Sequence, residues 1–128
     1  MADQKVTIAQ LKEIVSTFVN ERDWNQFHSP KNMSMAIAVE AAELMEHFLW
    51  VDGKASVQAL EKNRQEIEDE IADIAGALLM FCDENNIDLS AAIERKMALN
   101  RLKYPTQEVK GFDPFQLKQF KDTHNKKK

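Results

Sequence analysis

Two pairs of carboxylates lie where a helix should present apolar side chains. Glu40 and Glu43 interrupt an otherwise apolar stretch of ten residues, and Glu70 precedes a stretch of twelve in which Asp73 is the only charge. The members of each pair are three positions apart, so on a helix they share a face and can reach one ion. A buried carboxylate must protonate, form an ion pair or bind a metal, because desolvation penalises its charge. The two pairs therefore form a candidate metal-binding centre.

The chemistry of these four carboxylates favours a divalent metal ion. No matching set of buried cations accompanies them, and an all-oxygen donor set without cysteine suits Mg²⁺ or Mn²⁺ better than zinc. The alternative is that the acids are solvated or pair with lysines, as most acidic residues on helices do. The apolar surroundings of both pairs favour metal binding. A nearby acidic run is typical of a solvated face, from which one residue could reach a second ion: Glu61, Glu66, Glu68 and Asp69.

A second group of polar residues falls on one face of the fourth predicted helix. Lys96, Asn100 and Lys103 follow one another at spacings of four and three, in line with the apolar Leu89 and Ile93. This alignment predicts that Lys96 and Asn100 point toward the helical core. Cations and an amide that face a metal-carboxylate site would suit a polyphosphate. The alternative is a lysine that extends its charged end from a partly buried helix to solvent.

Aromatic residues flank the second predicted helix. Trp24, Phe27 and His28 precede it, and Trp50 lies at its far end. Their rings could stack on a nucleobase. Taken alone, however, the motif favours ordinary packing in the core, and the same holds for His47.

The elements that must position these residues are helices. All-β folds place glycine or proline in frequent turns, and this chain of 128 residues has only three of each. The apolar periodicity is divided by a cap at Thr7, by the helix-start signal Ser29-Pro30 and by a stop at Pro105. The predicted helices span roughly residues 7–22, 30–50, 56–85 and 88–103. This pattern predicts an all-α fold, a four-helix-bundle-like domain over residues 1–105.

Residues 106–128 are predicted to form a C-terminal extension. They contain Gly111 and Asp113-Pro114 and show little periodicity. The end, Lys126-Lys127-Lys128, is expected to be disordered. No internal repeat indicates a further domain, and a chain of this length has room for one modest core.

Composition and charge narrow the function classes. With 17 basic and 21 acidic residues, the net charge of −4 argues against a general nucleic-acid binder, whose phosphate contacts need a basic surface. Cys82 is the only cysteine, so no intrachain disulfide can form. The N-terminus lacks the apolar segment of a signal peptide, and no run of about 18 apolar residues occurs. We expect a soluble, cytoplasmic protein that binds neither nucleic acid nor membranes.

Together these residues resemble the MazG-like all-α nucleotide pyrophosphohydrolases, especially the dCTP-pyrophosphatase branch. The family signature is Glu-x-x-Glu, a variable gap, and then Glu-x-x-Asp. Here Glu40-x-x-Glu43 is followed by a gap from Leu44 to Asp69 and then by Glu70-x-x-Asp73. The flanking residues match as well, with Glu21-Arg22-Asp23-Trp24 and Gln26-Phe27-His28 before the signature, and Lys96, Asn100, Arg101 and Tyr104-Pro105 after it. The resemblance covers roughly residues 8–105.

The resemblance implies a Mg²⁺-dependent enzyme that converts a nucleoside triphosphate and water into the monophosphate and pyrophosphate, and so removes non-canonical or surplus nucleotides. Family members are four-helix units that assemble into dimers or tetramers, so the resemblance implies a homodimer or homotetramer with active sites near the interface. The implied metal ligands are Glu40, Glu43, Glu70 and Asp73. One of the first pair, Glu43 by preference over Glu40, would also orient the attacking water. The implied phosphate contacts are Lys96, Asn100, Arg101 and Lys103. The implied base pocket contains Trp24, His28 and Trp50.

One position departs from the dCTP branch. There an aromatic residue, usually Tyr, follows the metal-binding Asp by one turn, whereas here that position is Ala77. We therefore expect a wider pocket and do not carry over a preference for cytosine.

Two other function classes compete with this interpretation. A ferritin-like di-iron bundle needs Glu-x-x-His on two helices, and none of the three histidines has an acid three positions earlier. The other competitor is a non-catalytic helical interaction module in which the acids pair across an oligomer interface. Mg²⁺-dependent release of pyrophosphate from mixed nucleotides would separate it from an enzyme.

Overall fold

A computed structural model describes residues 1–125, and in that part of the chain it contains helices and no β-strand. The α-helices are α1 (Ile8–Asn20), α2 (Pro30–Glu46), α3 (Ala55–Lys62), α4 (Arg64–Glu84), α5 (Leu89–Lys103), α6 (Thr106–Val109) and α7 (Pro114–Asn125). Short 3-10 turns span Ala2–Gln4 and Asn25–Phe27. The all-α prediction is confirmed. Among the described residues, no helix combines the length and the apolar composition needed to cross a membrane.

Side-chain caps at Thr7 and Ser29 confirm the predicted starts of the first two helices. The Thr7 hydroxyl accepts a hydrogen bond from the N–H of Gln10 (3.2 Å), and the Thr7 N–H donates to Gln10 Oε1 (2.8 Å), which forms a capping box. Ser29 Oγ accepts from the N–H of Asn32 (3.2 Å), with Pro30 at the first helical position. The second cap fixes where the helix carrying the first carboxylate pair begins.

The predicted second and third helices differ from those in the structure. α2 ends at Glu46 rather than near Trp50, and residues 47–50 form turns. The helix predicted over 56–85 is two helices, because Asn63 (φ −113°, ψ 27°) leaves the helical conformation and separates α3 from α4. An asparagine side chain competes for backbone hydrogen bonds, which favours a helix end at such a position.

The C-terminal extension contains more regular structure than its weak periodicity predicts. α6 and α7 lie within it, and Asp113 Oδ1 caps α7 by accepting from the N–H of Gln116 at 2.8 Å. Aromatic rings pack around Phe120. Short helices held by a few ring contacts produce no long apolar repeat, so periodicity alone does not reveal them. The predicted disorder of Lys126–Lys128 lies outside the described residues.

The chain divides into two compact units, one from Met1 to Leu89 and a second that begins at Ser90. In the first unit α1, α2 and α3 pack on α4, and Lys12 Nζ donates to the carbonyl oxygen of Ile87 at 2.9 Å. The centre of its core consists of Val19, Met33 and Met80. The predicted end of the catalytic domain, at residue 105, differs from the end of the first compact unit at Leu89. The extent of the catalytic domain stays a prediction.

Only part of the apolar surface of α4 is buried within the first unit. Ile67, Leu79 and Met80 are buried, but Ile71 is 50% exposed and Leu78 is 39% exposed. A helical stretch that is apolar on every side is typical of a buried helix, yet the single chain covers only part of this one. The spacing of apolar residues in α4 indicates which faces of the helix are apolar. It does not indicate which of these faces are covered by other parts of the same chain.

Candidate active site

Three of the four predicted carboxylates meet between α2 and α4. Because Glu40 and Glu43 share one face of α2, packing of that face on α4 brings both beside Glu70. One carboxylate oxygen from each of these residues lies within 4.8 Å of the other two. Glu40 and Glu70 are half-buried, and Glu43 is exposed. Three carboxylates at this separation can hold one cation.

Asp73 lies one turn after Glu70 on α4, and together with burial its negative charge contributes to the raised pKa of Glu40. The pKa of Glu40 is raised, chiefly by burial and then by the negative charges of its neighbours Glu43, Asp73 and Glu70. Asp73 is exposed and is not one of the three residues whose oxygens meet. We call the three residues and Asp73 the acidic cluster.

The charge of the acidic cluster is not neutralised by basic side chains of the described chain. Within residues 1–125, neither a lysine nor an arginine forms an ion pair with any of its members. The second carboxylate oxygen of Glu70, Oε2, is buried without a hydrogen-bond partner among the described residues. A buried oxygen without a partner costs free energy, and the like charges repel one another. This all-oxygen donor set therefore fits a divalent metal ion.

A cavity of about 700 Å³ adjoins the acidic cluster in the same unit. Glu40 and Asp73 form part of its wall, and the remainder comes from one face each of α1, α2 and α4 and from the turn before α2. Pockets that bind small molecules typically measure about 300–1,000 Å³. The acidic cluster and a ligand-sized cavity thus share a wall. We call it the aromatic cavity, after Phe18, Trp24 and Phe27, which line it.

The turn after α1 places Trp24 at the wall of the aromatic cavity. Asp23 has a φ of 53°, a left-handed conformation that aspartate adopts more readily than most residues. The chain reverses there, so that the Trp24 N–H donates to the carbonyl oxygen of Val19 at 3.2 Å. The Trp24 ring packs edge-on against Phe18, with 5.8 Å between the ring centroids. About half of each side chain is exposed, so both rings offer apolar surface to a ligand.

His28 and Asn32 add polar groups to the cavity wall. His28 Nδ1 is buried without a hydrogen bond among the described residues and lies 3.6 Å from Glu84 Oε1. Asn32 Nδ2 donates to the carbonyl oxygen of Phe27 at 2.9 Å, which fixes the orientation of the carboxamide. Both residues line the cavity near the start of α2. Asn32 lies eight residues before Glu40 on this helix.

The predicted binding residues fall in different places. Trp24 and His28 line the aromatic cavity, whereas Trp50 does not line it and is 91% exposed. The predicted phosphate contacts lie on α5, in the second unit, and they are Lys96, Asn100, Arg101 and Lys103. Asn100 is half-buried and the other three are exposed. The roles of these four and of Trp50 stay predictions.

Sequence reasoning missed several residues of the cavity wall, among them Phe18, Asn32 and Gly76. Phe18 belongs to the apolar repeat of α1, and periodicity cannot separate a cavity wall from a core position. Gly76 gives a clearer signal, because a glycine in the interior of a long helix needs a reason.

His47 lies beside the acidic cluster, although the sequence favours a packing role for it. Its Nε2 is 4.0 Å from Glu70 Oε1, and it lines a second cavity of about 460 Å³ with Glu43, Glu46 and Glu70. The signal in the sequence is its position one helical turn after Glu43, and in the structure His47 is the C-cap of α2.

Comparison with known proteins identifies the family and several relatives of this chain. The model of the MazG-like family matches residues 35–114. Over 107 residues the chain is 34% identical to dCTP pyrophosphatase 1 of Rattus norvegicus, which covers 82% of this chain and 63% of that protein. Over 101 residues it is 34% identical to dCTP pyrophosphatase 1 of Homo sapiens, covering 77% and 59%. The chain thus spans less than two thirds of the length of these relatives.

A solved structure shows the same fold. The crystal structure of a pyrophosphatase from Archaeoglobus fulgidus superposes with a TM-score of 0.74 at 39% sequence identity, covering 76% of this chain and 91% of that chain. The family match includes both carboxylate pairs of the acidic cluster, which lie between residues 35 and 114. The chain belongs to the MazG-like family.

Proposed function

We propose that the chain is a metal-dependent nucleoside triphosphate pyrophosphohydrolase, which releases the nucleoside monophosphate and pyrophosphate. The observation that carries the proposal is the wall shared by the acidic cluster and the aromatic cavity. A triphosphate needs cations, which the cluster can supply by binding metal, and a base needs an apolar, aromatic pocket. The names of the relatives, dCTP pyrophosphatase and pyrophosphatase, support the same reaction class.

Mg²⁺ is the metal we propose, with Mn²⁺ as a substitute. The donors of Glu40, Glu43, Glu70 and Asp73 are all carboxylate oxygens, which magnesium and manganese prefer, and the cluster offers no thiolate. When bound, the metal would neutralise phosphate charge and favour attack of water on the α-phosphorus.

The protein's own carboxylates and aromatic rings have distinct roles in this proposal. Of the three glutamates whose oxygens meet, Glu43 is the exposed one, so it can orient the attacking water and accept its proton, with Glu40 as its neighbour at the cavity wall. Trp24 and His28 hold the base. The proposed phosphate contacts on α5 are Lys96, Asn100, Arg101 and Lys103.

We also propose that the chain works as a homodimer or homotetramer in the cytoplasm, on the nucleotide pool. The exposed apolar side chains of α4, Ile71 and Leu78, support assembly, because a large exposed apolar surface is typical of an interface. The net charge of −4 supports a free nucleotide, rather than a nucleic acid, as the substrate.

The products test the reaction class directly. With a deoxynucleoside triphosphate and Mg²⁺, we expect equal amounts of monophosphate and pyrophosphate, because water attacks the α-phosphorus. Ion-exchange separation of the digest measures both. A digest that contains diphosphate and orthophosphate instead would contradict the proposed reaction.

Substitutions in the aromatic cavity should act mainly on binding. Stacking of a base on an aromatic ring contributes about 1–3 kcal/mol, so Trp24→Ala should raise KM about 5- to 160-fold and change kcat less. His28→Ala should act in the same direction. Steady-state kinetics with several triphosphates measure both parameters. Phe115→Ala, at an exposed ring of α7, is the matched control and should leave KM unchanged. If Trp24→Ala leaves the kinetics of every substrate intact, the ring serves packing only.

A further inference from the structure

Gly76 lies in the interior of α4, twelve residues after its first residue and eight before its last. A helix-interior glycine destabilises the folded state relative to alanine, because glycine loses more backbone entropy on folding. Such a position therefore calls for a reason specific to the site.

Neither the backbone nor the packing of helices supplies that reason. Gly76 does not adopt a positive φ, so no left-handed conformation requires glycine there. Outside the backbone of α4 itself, the nearest neighbour of a Cβ atom at this position would be Val15 Cγ2, at 4.0 Å, an ordinary van der Waals separation. The protein could therefore accommodate alanine at residue 76 without moving any of its own atoms.

The missing side chain opens into the aromatic cavity. The face of α4 that lines the cavity carries Ala72, Asp73, Gly76, Ala77 and Met80. Two of its small residues, Gly76 and Ala77, lie one turn beyond Asp73. A ligand whose phosphates are held at Asp73 and Glu40 would thus pass over Gly76 on its way into the cavity.

The opposite wall gives the length of this path. On α2 the cavity extends from Glu40 back to Asn32, eight residues, or about 12 Å at the helical rise of 1.5 Å per residue. Trp24 and His28 lie at the far end, near the start of α2. Between Asp73 and Met80, the wall that α4 contributes to the cavity consists of Gly76 and Ala77, which have little side-chain volume.

We infer that Gly76 is a specificity-determining residue, which leaves room for a two-ring purine base in the aromatic cavity. The inference rests on the proposed function, because it assumes that the acidic cluster holds the triphosphate. It extends that function to a substrate class, purine nucleoside triphosphates, beyond the dCTP for which the curated relatives are named.

Side chains of increasing size at residue 76 test the inference. Gly76→Ala and Gly76→Leu should be compared with the wild-type protein on dCTP, dATP and dGTP, with kcat/KM measured for each. We expect the wild type to hydrolyse the purine substrates with kcat/KM within about tenfold of its value for dCTP. Gly76→Leu should lower kcat/KM for dATP and dGTP at least about tenfold more than for dCTP, since one extra methylene in a hydrophobic pocket already discriminates by roughly 10–200-fold.

The smaller variant and a control keep the test decisive if Gly76→Leu fails to fold. Gly76→Ala should raise the melting temperature by a few degrees through helix propensity, and it should still shift the kcat/KM ratio against purines. Gly53→Ala, at a glycine outside the cavity where the added methyl group would meet no atom within 4 Å, should leave that ratio unchanged.

The different failures are distinguishable from one another. A wild-type protein that hydrolyses no triphosphate at all contradicts the proposed function itself, before any variant is made. A wild type that hydrolyses dCTP but not purines overturns the inference alone. So does a set of Gly76 variants whose losses are equal for all three substrates, because that result assigns residue 76 a structural role.

Discussion

Asp73→Asn should lower kcat at least about a thousandfold at saturating substrate and Mg²⁺, if the acidic cluster holds the catalytic metal. The substitution removes a charge and changes the shape of the side chain very little. Metal-based stabilisation of the transition state amounts to several kcal/mol, and each 1.36 kcal/mol corresponds to a factor of ten in rate. Release of pyrophosphate in the steady state measures the loss.

A matched substitution on the same helix separates a loss of metal binding from a general effect on α4. Asp83→Asn makes the same chemical change ten residues later, at an exposed position outside the acidic cluster and the aromatic cavity. It should retain activity close to that of the wild type. Activity of Asp73→Asn within tenfold of the wild type would remove Asp73 from the metal-binding group.

Glu40→Gln should separate stability from activity. In EDTA the like charges of the acidic cluster repel one another, and burial further penalises the charge of Glu40. Removing that charge should give an equal or higher melting temperature than the wild type, while activity is lost. Functional sites commonly trade stability for activity in this way. Thermal unfolding in EDTA, followed by circular dichroism, measures the difference, and Glu13→Gln on the exposed side of α1 is the control.

Mg²⁺ should stabilise the wild type and stabilise Glu40→Gln less. Binding to the folded state alone contributes about 2.7 kcal/mol at a hundred times Kd, which is roughly 10 °C in melting temperature for a chain of this size. If the carboxylates formed structural ion pairs instead, breaking one would cost about 3–5 kcal/mol and Mg²⁺ would have no effect. A large fall in the EDTA melting temperature of the variant would decide for that alternative.

The raised pKa of Glu40 predicts how the stability of the metal-free protein changes with pH. Because the pKa is raised in the folded state, the folded protein holds the Glu40 proton more tightly than the unfolded chain does. The tighter binding of this proton adds to the free energy of unfolding below the ordinary glutamate pKa. That contribution is lost as the pH rises through the raised pKa of Glu40. In EDTA the wild type should therefore lose more stability than Glu40→Gln over that range, as melting temperatures across a pH series would show.

Much of the fold followed from local signals. The caps at Thr7 and Ser29 depend on residues within three positions of each other, so they could be identified from the sequence. The break at Asn63 was missed because the apolar repeat continues across it, and one residue's departure from helical geometry leaves that repeat unchanged. α7 was missed because its stabilising contacts are a few aromatic rings rather than a long apolar stripe.

The acidic cluster divides in the same way between what is local and what is not. Spacing alone determined that Glu40 lies on one face with Glu43, and Glu70 with Asp73, because an α-helix fixes the direction of side chains three positions apart. That the two faces meet was decided by the packing of α2 on α4, which joins residues thirty positions apart in the chain.

The sequence by itself determined the helical class, the types of donor atom and the pairing of carboxylates along each helix. Only the tertiary structure decided that the cluster shares a wall with a cavity, and that Trp24, His28 and Gly76 line that cavity. The physical reason is that periodicity describes one helix at a time, whereas a cavity is the space that several helices leave unfilled between them. Packing brings three separate helices and one turn around the same space, and so it places a glycine, a tryptophan and a carboxylate on the wall of one cavity.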